Sequence, residues 1–227
     1  MQEAVTLAQK ASAVIEKKTA SSPCTDRRYL RSRKMIYEAL AALIEERGVD
    51  GFTVSDLTER ADLNRSTFYS HFKDKDDVIR RYEDEFLAEL SHVEATLGEV
   101  TPEQLAEAVL EFEPLPMLVG LFDFLREHGA MLRALLGPTG DIAFQHRLMD
   151  TLCDTLMSCV LDPKYTKDKN LMVDYYVSYF TSAALGVVGR WLGEGMRESS
   201  ETMATILMRV SFLRPGDPID MGGLDND

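Results

Sequence analysis

Three cysteines, Cys24, Cys153 and Cys159, are too few and too scattered for a disulfide framework, and no CxxC pair offers a zinc knuckle. A reducing, intracellular setting is the expectation. Long apolar runs are missing as well: no segment approaches the ~18 uninterrupted apolar residues of a membrane span. The first residues, MQEAVTLAQKASAVIEKK, carry Glu3 early and have no apolar stretch of signal-peptide length. The expectation is a soluble, cytoplasmic chain with no membrane partner. No HExxH, GxSxG or phosphate loop occurs and no nucleophile and base stand out as a pair, which argues against an enzyme and calls for no cofactor. His146, Asp150, Cys153 and Asp154 could share a helix face, but no pattern fixes a coordination geometry, so no metal site is assigned. Period-2 alternation is never sustained, which removes sheets from consideration and leaves an all-α chain.

Positive charge is the last deficit, with 25 Lys and Arg against 38 Asp and Glu and a net charge of -13. Taken whole, that balance argues against nucleic acid, because phosphate backbones attract clustered Lys and Arg. Divided along the chain it does not. Residues 25–81 hold 12 basic and 11 acidic residues, whereas residues 82–227 hold 10 and 25. Within the first stretch Arg27, Arg28, Arg31, Arg33 and Lys34 fall close together, followed by Arg65, Lys73 and Lys75. The asymmetry indicates a two-part protein. With 45% hydrophobic residues in 227, the chain can bury a full core, and general disorder is excluded.

Residues 32–47 place Ile36, Ala39, Leu40, Leu43 and Ile44 on one helical face, and Gly48 follows as a stop. Thr53 can cap a short second helix with Asp56 in its first turn, and Asn64 suits the N-cap of a third, Arg65 to Phe72. Two short helices joined by a tight turn make a helix-turn-helix pattern. Its inward positions are Leu57, Ala61, Leu63, Phe68 and Phe72; its outward positions, Arg65, Ser66, Thr67, Tyr69 and His71, are rich in hydrogen-bond donors. A fourth helix starts near Asp74 and is long enough to leave the head. Thr101-Pro102-Glu103-Gln104 is a further start signal, and Leu118–His128, 141–161, Leu171–Leu192 and Thr202–Phe212 read as helices.

The residues FTVSDLTERADLNRSTFYSHFKDKDDVI resemble the DNA-binding head of TetR-type bacterial transcriptional regulators. Thr53, Ala61, Thr67-Phe68-Tyr69, His71-Phe72 and Lys75 stand at the spacing of that pattern, over about residues 32–79. Asp62 replaces the glycine that many members carry in the turn. RWLGEGMRESSETM is similar to the C-terminal domain of a subgroup that includes regulators of dihydroxyacetone kinase genes. The resemblance implies a three-helix helix-turn-helix head on a C-terminal helical domain for ligand binding and dimerisation. The corresponding boundaries are a flexible extension over 1–26, the head over 27–76, the regulatory and dimerisation domain over 77–213 and a disordered tail over 214–227.

A helix in the major groove offers side chains near its N-terminus to base edges while neighbouring elements hold phosphates. Arg65 is the expected base reader, since a guanidinium can donate two bonds to guanine, and Ser66 and Thr67 read bases or support register. Asn64 belongs to the same contact surface. By resemblance, Tyr69, His71 and Thr53 lie against phosphates. Lys75 grips a phosphate at the start of the fourth helix, and Arg31 and Arg33 reach the backbone or minor groove. The same basic run also reads as a solvated face, and His71 as a solvated helix end.

The expected partners are a palindromic double-stranded DNA operator and a second copy of the chain. A homodimer interface is expected from Tyr179, Ala183, Gly186, Trp191, Ile206 and Val210, where small residues permit close helix contact. Phe112, Met117, Phe122, Met131, Phe144, Met149, Tyr175 and Tyr176 could line a cavity for a small apolar effector, or be plain core. The leading expectation is a repressor released by an effector. The alternative is a regulator or activator of the same type governed by a protein partner.

Overall fold

The computed structural model describes residues 27–94, 101, 104, 107, 108, 113–160 and 171–212. The expected extension over 1–26, Phe112 and the expected tail over 214–227 lie outside the described residues. The α-helices, in order, are α1 (Arg27–Arg47), α2 (Val54–Arg60), α3 (Arg65–His71), α4 (Lys75–Glu94), α5 (Pro116–Glu127), α6 (Gly129–Leu136), α7 (Ile142–Thr155), α8 (Leu171–Gly193) and α9 (Ser200–Phe212), with a π-helical turn at Leu156–Val160. Among the described residues there is no strand.

Two compact units form. The first takes the described residues up to His92 together with His128–Asp154; the second takes Val93–Glu127 and the described residues from Thr155 onward. The unit that carries the helix-turn-helix is therefore assembled from two separate stretches of chain and does not close at residue 76.

In the first unit Ile36, Ala39, Leu40, Leu43 and Ile44 of α1 are buried, as their spacing requires. The helix stops at Gly48, whose φ of +77° is a left-handed conformation natural to glycine, with its N–H donating to Ile44 O at 2.8 Å. Thr53 and Asp56 open α2 with a reciprocal capping box. Asp62 turns the chain toward α3 with φ +53°, a conformation Asp tolerates better than most residues. Leu57, Ala61, Phe68 and Phe72 pin α2 and α3 from within. α6 packs along α1, with Arg133 Nε 2.5 Å from Glu45 Oε1. The turn after α6 binds the end of α1: Val49 N–H donates to Thr139 O at 3.2 Å and Thr139 Oγ1 to Ile44 O at 3.3 Å. Gly140 makes that turn possible, because a Cβ there would lie 2.0 Å from Leu135 O. α7 closes the unit, with Phe144 buried 6.0 Å from the Phe86 ring.

In the second unit α9 packs on α5, and Trp191 of α8 is buried edge-on against Phe122, 5.4 Å between centroids. The Arg126 guanidinium lies 4.9 Å above the Trp191 ring and donates to Met196 O and Glu198 O at 2.9 and 2.5 Å. Trp191 Nε1 also donates to Glu198 O, at 3.2 Å, so the loop between α8 and α9 is held from both sides. Thr101 and Gln104 exchange hydrogen bonds at 3.0 and 3.2 Å, the capping arrangement expected there.

Candidate nucleic-acid interface

α3 is only 7 residues long, so its pose depends on its neighbours. Phe68 and Phe72 fill the core side, and their rings stand 5.8 Å apart. The opposite side then faces out. Arg65, Ser66 and Tyr69 are exposed, Tyr69 at 57% of its surface, and Thr67 is half-buried. Asn64 occupies the N-cap position in extended conformation, yet its side chain makes no capping bond. The amide is left on the surface at the head of α3.

One Arg65 Nη2–H donates to Ser55 Oγ on the first turn of α2. Arg65 has no carboxylate partner among the described residues. Two other arginines of the unit are neutralised: Arg47 pairs with Asp56 at 3.0 Å and Arg60 with Glu46 at 2.6 Å. Thr53 is exposed and both donates to and accepts from Asp56. Those bonds to Thr53, and then Arg47, hold the Asp56 carboxyl down at about 2.

Three expected contact residues turn inward. Arg33 is held by Glu85 of α4 and donates to Tyr37 Oη at 3.3 Å, because α4 brings a carboxylate to the flank of α1. Burial pushes the Tyr37 hydroxyl up to about 12, followed by the charge of Glu85. Lys75 Nζ donates to Val49 O at 2.8 Å and lies 5.1 Å over the Phe52 ring, tying α4 to the turn before α2. His71 is buried, with its ring 4.1 Å from that of Tyr29 and Nε2 2.7 Å from Ser32 Oγ. Ser32 donates to Arg28 O at 2.9 Å, so the consistent tautomer has His71 Nε2–H donating to Ser32. Burial, then Arg33, pulls the His71 imidazole below its usual range, and its Nδ1 has no hydrogen-bond partner among the described residues. Arg31 stays exposed. It lines an open cavity of about 550 Å³ with Arg28, Tyr29, Ser32, Thr67 and His71.

The residues expected to line an effector cavity divide between the two units. Met131 and Phe144 are buried in the first unit, and Met149 there is half-buried. Phe122 is core of the second unit and Met117 is half-buried on α5. Tyr175 and Tyr176 are 67% and 50% exposed, because the register of α8 sets them on its outward stripe with Met172 and Tyr179. Among the expected interface residues, Tyr179, Ala183, Gly186 and Val210 are exposed and Ile206 is half-buried. Trp191 is instead 2% exposed and belongs to the core of its own unit. α8 is also long and apolar enough to cross a membrane by length and composition, with a mean hydropathy of 1.3 over an 18-residue window of which 17% is buried. Asp174 and Arg190 interrupt its apolar run. Among the described residues no three His, Cys, Asp or Glu side chains are placed to hold a metal ion.

Linear spacing gave no sign of Ser55 beside Arg65, ten residues apart, or of Ser32 beside His71, 39 apart. Both contacts arise only when α1, α2 and α3 pack.

A short exposed helix on a buried aromatic footing, preceded by a capped helix and a tight turn, defines a helix-turn-helix DNA-binding head. Comparison with known proteins agrees. Residues 36–82 match the model of bacterial regulatory proteins of the tetR family, and residues 113–212 match a transcriptional regulator C-terminal region. The chain belongs to the TetR family of transcriptional regulators. Over 56 residues it is 36% identical to the HTH-type transcriptional regulator YxbF of Bacillus subtilis, a stretch that covers 24% of this chain and 15% of that relative. This chain thus spans well under two thirds of the length of the curated relative it matches. The fatty acid degradation regulator FadR from Bacillus halodurans shares the fold at TM-score 0.55 and 15% identity, covering 79% of this chain and 94% of its own. A transcriptional regulator from Aquifex aeolicus does so at 0.52 and 16%, covering 79% and 96%. Bacillus subtilis FadR, solved with stearoyl-CoA, does so at 0.51 and 15%, covering 78% and 96%.

Proposed function

We propose that the chain is a homodimeric, cytoplasmic repressor that binds a palindromic operator through α3 and is released by an effector acting on its C-terminal region. The observation that carries this reading is the Arg65 guanidinium, exposed at the start of α3 with no carboxylate among the described residues to neutralise it. Arg65 reads a base edge, with Asn64, Ser66 and Thr67 beside it; Tyr69 and Thr53 face phosphates, and Arg31 reaches the flanking backbone. Arg33, His71 and Lys75 act at one remove, holding the surface in shape. The acidic C-terminal two-thirds of the chain is repelled by the duplex, so only the heads touch DNA and binding weakens steeply with salt.

A second copy supplies the second half-site, about one helical turn away, ~34–36 Å. The exposed face of α8 supports this. Tyr176, Tyr179, Ala183 and Gly186 form a stripe in which aromatic side chains adjoin small ones that let a partner helix approach. A soluble partner suits this helix better than lipid, since it carries the exposed charges of Asp174 and Arg190. Enzymatic activity forms no part of the reading. Selection from a randomised double-stranded DNA library tests it: the full chain should enrich one palindrome, and Arg65→Ala or Tyr69→Ala should weaken retention of that duplex by about tenfold or more.

A further inference from the structure

Arg65 and Ser55 stand out among the polar contacts of the head, because among the described residues the guanidinium pairs with a neutral hydroxyl alone. A carboxylate in that place would fix the side chain but cancel its charge and compete with DNA for the same donors. A hydroxyl accepts one N–H and leaves the charge and the remaining donors of the fork available. Without any partner, an exposed Arg at the start of a helix samples many rotamers, and ordering it on binding weakens whatever contact it then makes.

Ser55 itself is well held. It lies on the first turn of α2, inside the capping box of Thr53 and Asp56, and Asp56 is anchored again by Arg47 at 3.0 Å. Its carbonyl accepts from the Thr58 hydroxyl at 3.1 Å, and Thr58 is buried. The hydroxyl that touches Arg65 is thus fixed to the scaffold through α2, on the other side of the turn from α3.

The geometry points to Ser55 as a positioning residue for operator specificity: it aims the Arg65 guanidinium for two-point recognition of a guanine in the major groove, without itself contacting a base. The inference rests on the proposed reading of α3 as the base-reading element. It assigns to the operator a guanine at one position in each half-site, and it assigns to Ser55 the strength with which that guanine is preferred over adenine.

The test uses the full chain and a randomised double-stranded library, with unmodified protein, Arg65→Ala, Ser55→Ala and Ser55→Thr selected in parallel. Binding to a poly(dA-dT) duplex is measured alongside, as is thermal unfolding. The unmodified chain should enrich a motif with one dominant guanine per half-site, and Arg65→Ala should lose selectivity at that position alone. Ser55→Ala should keep the motif while its guanine-over-adenine preference falls by about tenfold, within the range a good bidentate contact supplies. Ser55→Thr, which keeps the hydroxyl, should restore it. Poly(dA-dT) binding should not change beyond about twofold, since phosphate contacts carry it.

A Ser55→Ala protein that retains the full guanine preference overturns the inference while leaving the base-reading role of Arg65 standing. A motif untouched by Arg65→Ala overturns both the inference and that role. If no motif is enriched at all, the reading of the chain as a sequence-specific regulator fails first. If Ser55→Ala lowers poly(dA-dT) binding and selectivity together and Ser55→Thr does not rescue either, Ser55 is a structural residue of α2 and the inference is wrong.

Discussion

Helices α1 and α8 are nearly equal in length, 21 and 23 residues, yet they sit in opposite situations. α1 buries seven of its residues, α6 lies along it, and its charged flank is cross-linked to α4 through Arg33 and Glu85. α8 is the more apolar of the two and buries five. Met172, Tyr175 and Tyr179 remain 74%, 67% and 75% exposed. Such a stripe of large apolar side chains on one helix marks an interaction surface. On the proposed reading the first unit carries its recognition chemistry on a finished scaffold, whereas the second is completed by a second copy of the chain. The specificity of the protein and its assembly are separable, and substitutions should distinguish them.

The largest effect should come from removing the partner. Replacing Tyr176 and Tyr179 together by Glu should weaken self-association by about a hundredfold or more, as loss of two aromatic anchors implies, and DNA affinity should drop with it. Sedimentation equilibrium against concentration, with far-UV circular dichroism to confirm helix content, checks this. Trp191→Ala attacks the same unit from inside. It removes the ring that joins Phe122, Arg126 and the loop after α8, and should cost about 3–5 kcal/mol in urea unfolding.

The first unit buries a charged group as well as an apolar core. Glu83 of α4 is buried, with one carboxylate oxygen held by Arg147 of α7, and Arg147 also reaches Asp84 at 2.8 Å. Burial first, then the charge of Asp141, lifts the Glu83 carboxyl to about 7 despite Arg147. A raised carboxyl binds its proton more tightly in the folded state than in the unfolded chain. Its contribution to stability is therefore favourable below the usual range near 4.5 and is lost as pH rises toward 7. Glu83→Gln should flatten that part of the stability profile. Arg147→Met should destabilise by about 1–3 kcal/mol at pH 8, less than a fully buried pair because Arg147 is partly exposed, and by less at pH 5. Urea unfolding at the two pH values reads both.

The smallest expected effect lies at the capping box. Thr53→Ala should cost about 1 kcal/mol in the same assay.

Much of this organisation was legible in the sequence because it is local. The helical face of α1, the stop at Gly48, the capping box of Thr53 and the left-handed Asp62 are all set within a few residues of chain. So was the family, since the residues from Phe52 to Ile79 carry a spaced pattern. What was not legible depends on long-range packing. Arg33, His71 and Lys75 look like free donors in a linear reading, yet α4, Ser32 and the turn at Val49 capture them. Trp191 looks like part of an interface stripe until α5 brings Phe122 and Arg126 against its ring. Tyr175 and Tyr176 look like cavity residues because aromatic content alone does not reveal which side of α8 is covered.

The most direct test of the central claim, that exposed α3 surfaces act in pairs brought together through α8, is the composition of the protein–DNA complex. Light scattering on the full chain bound to its library-selected duplex should give two copies of the 25.5 kDa chain per duplex, and the Tyr176 and Tyr179 double variant should fail to form that complex. One chain per duplex at undiminished affinity, or an unaltered complex with the double variant, would contradict it.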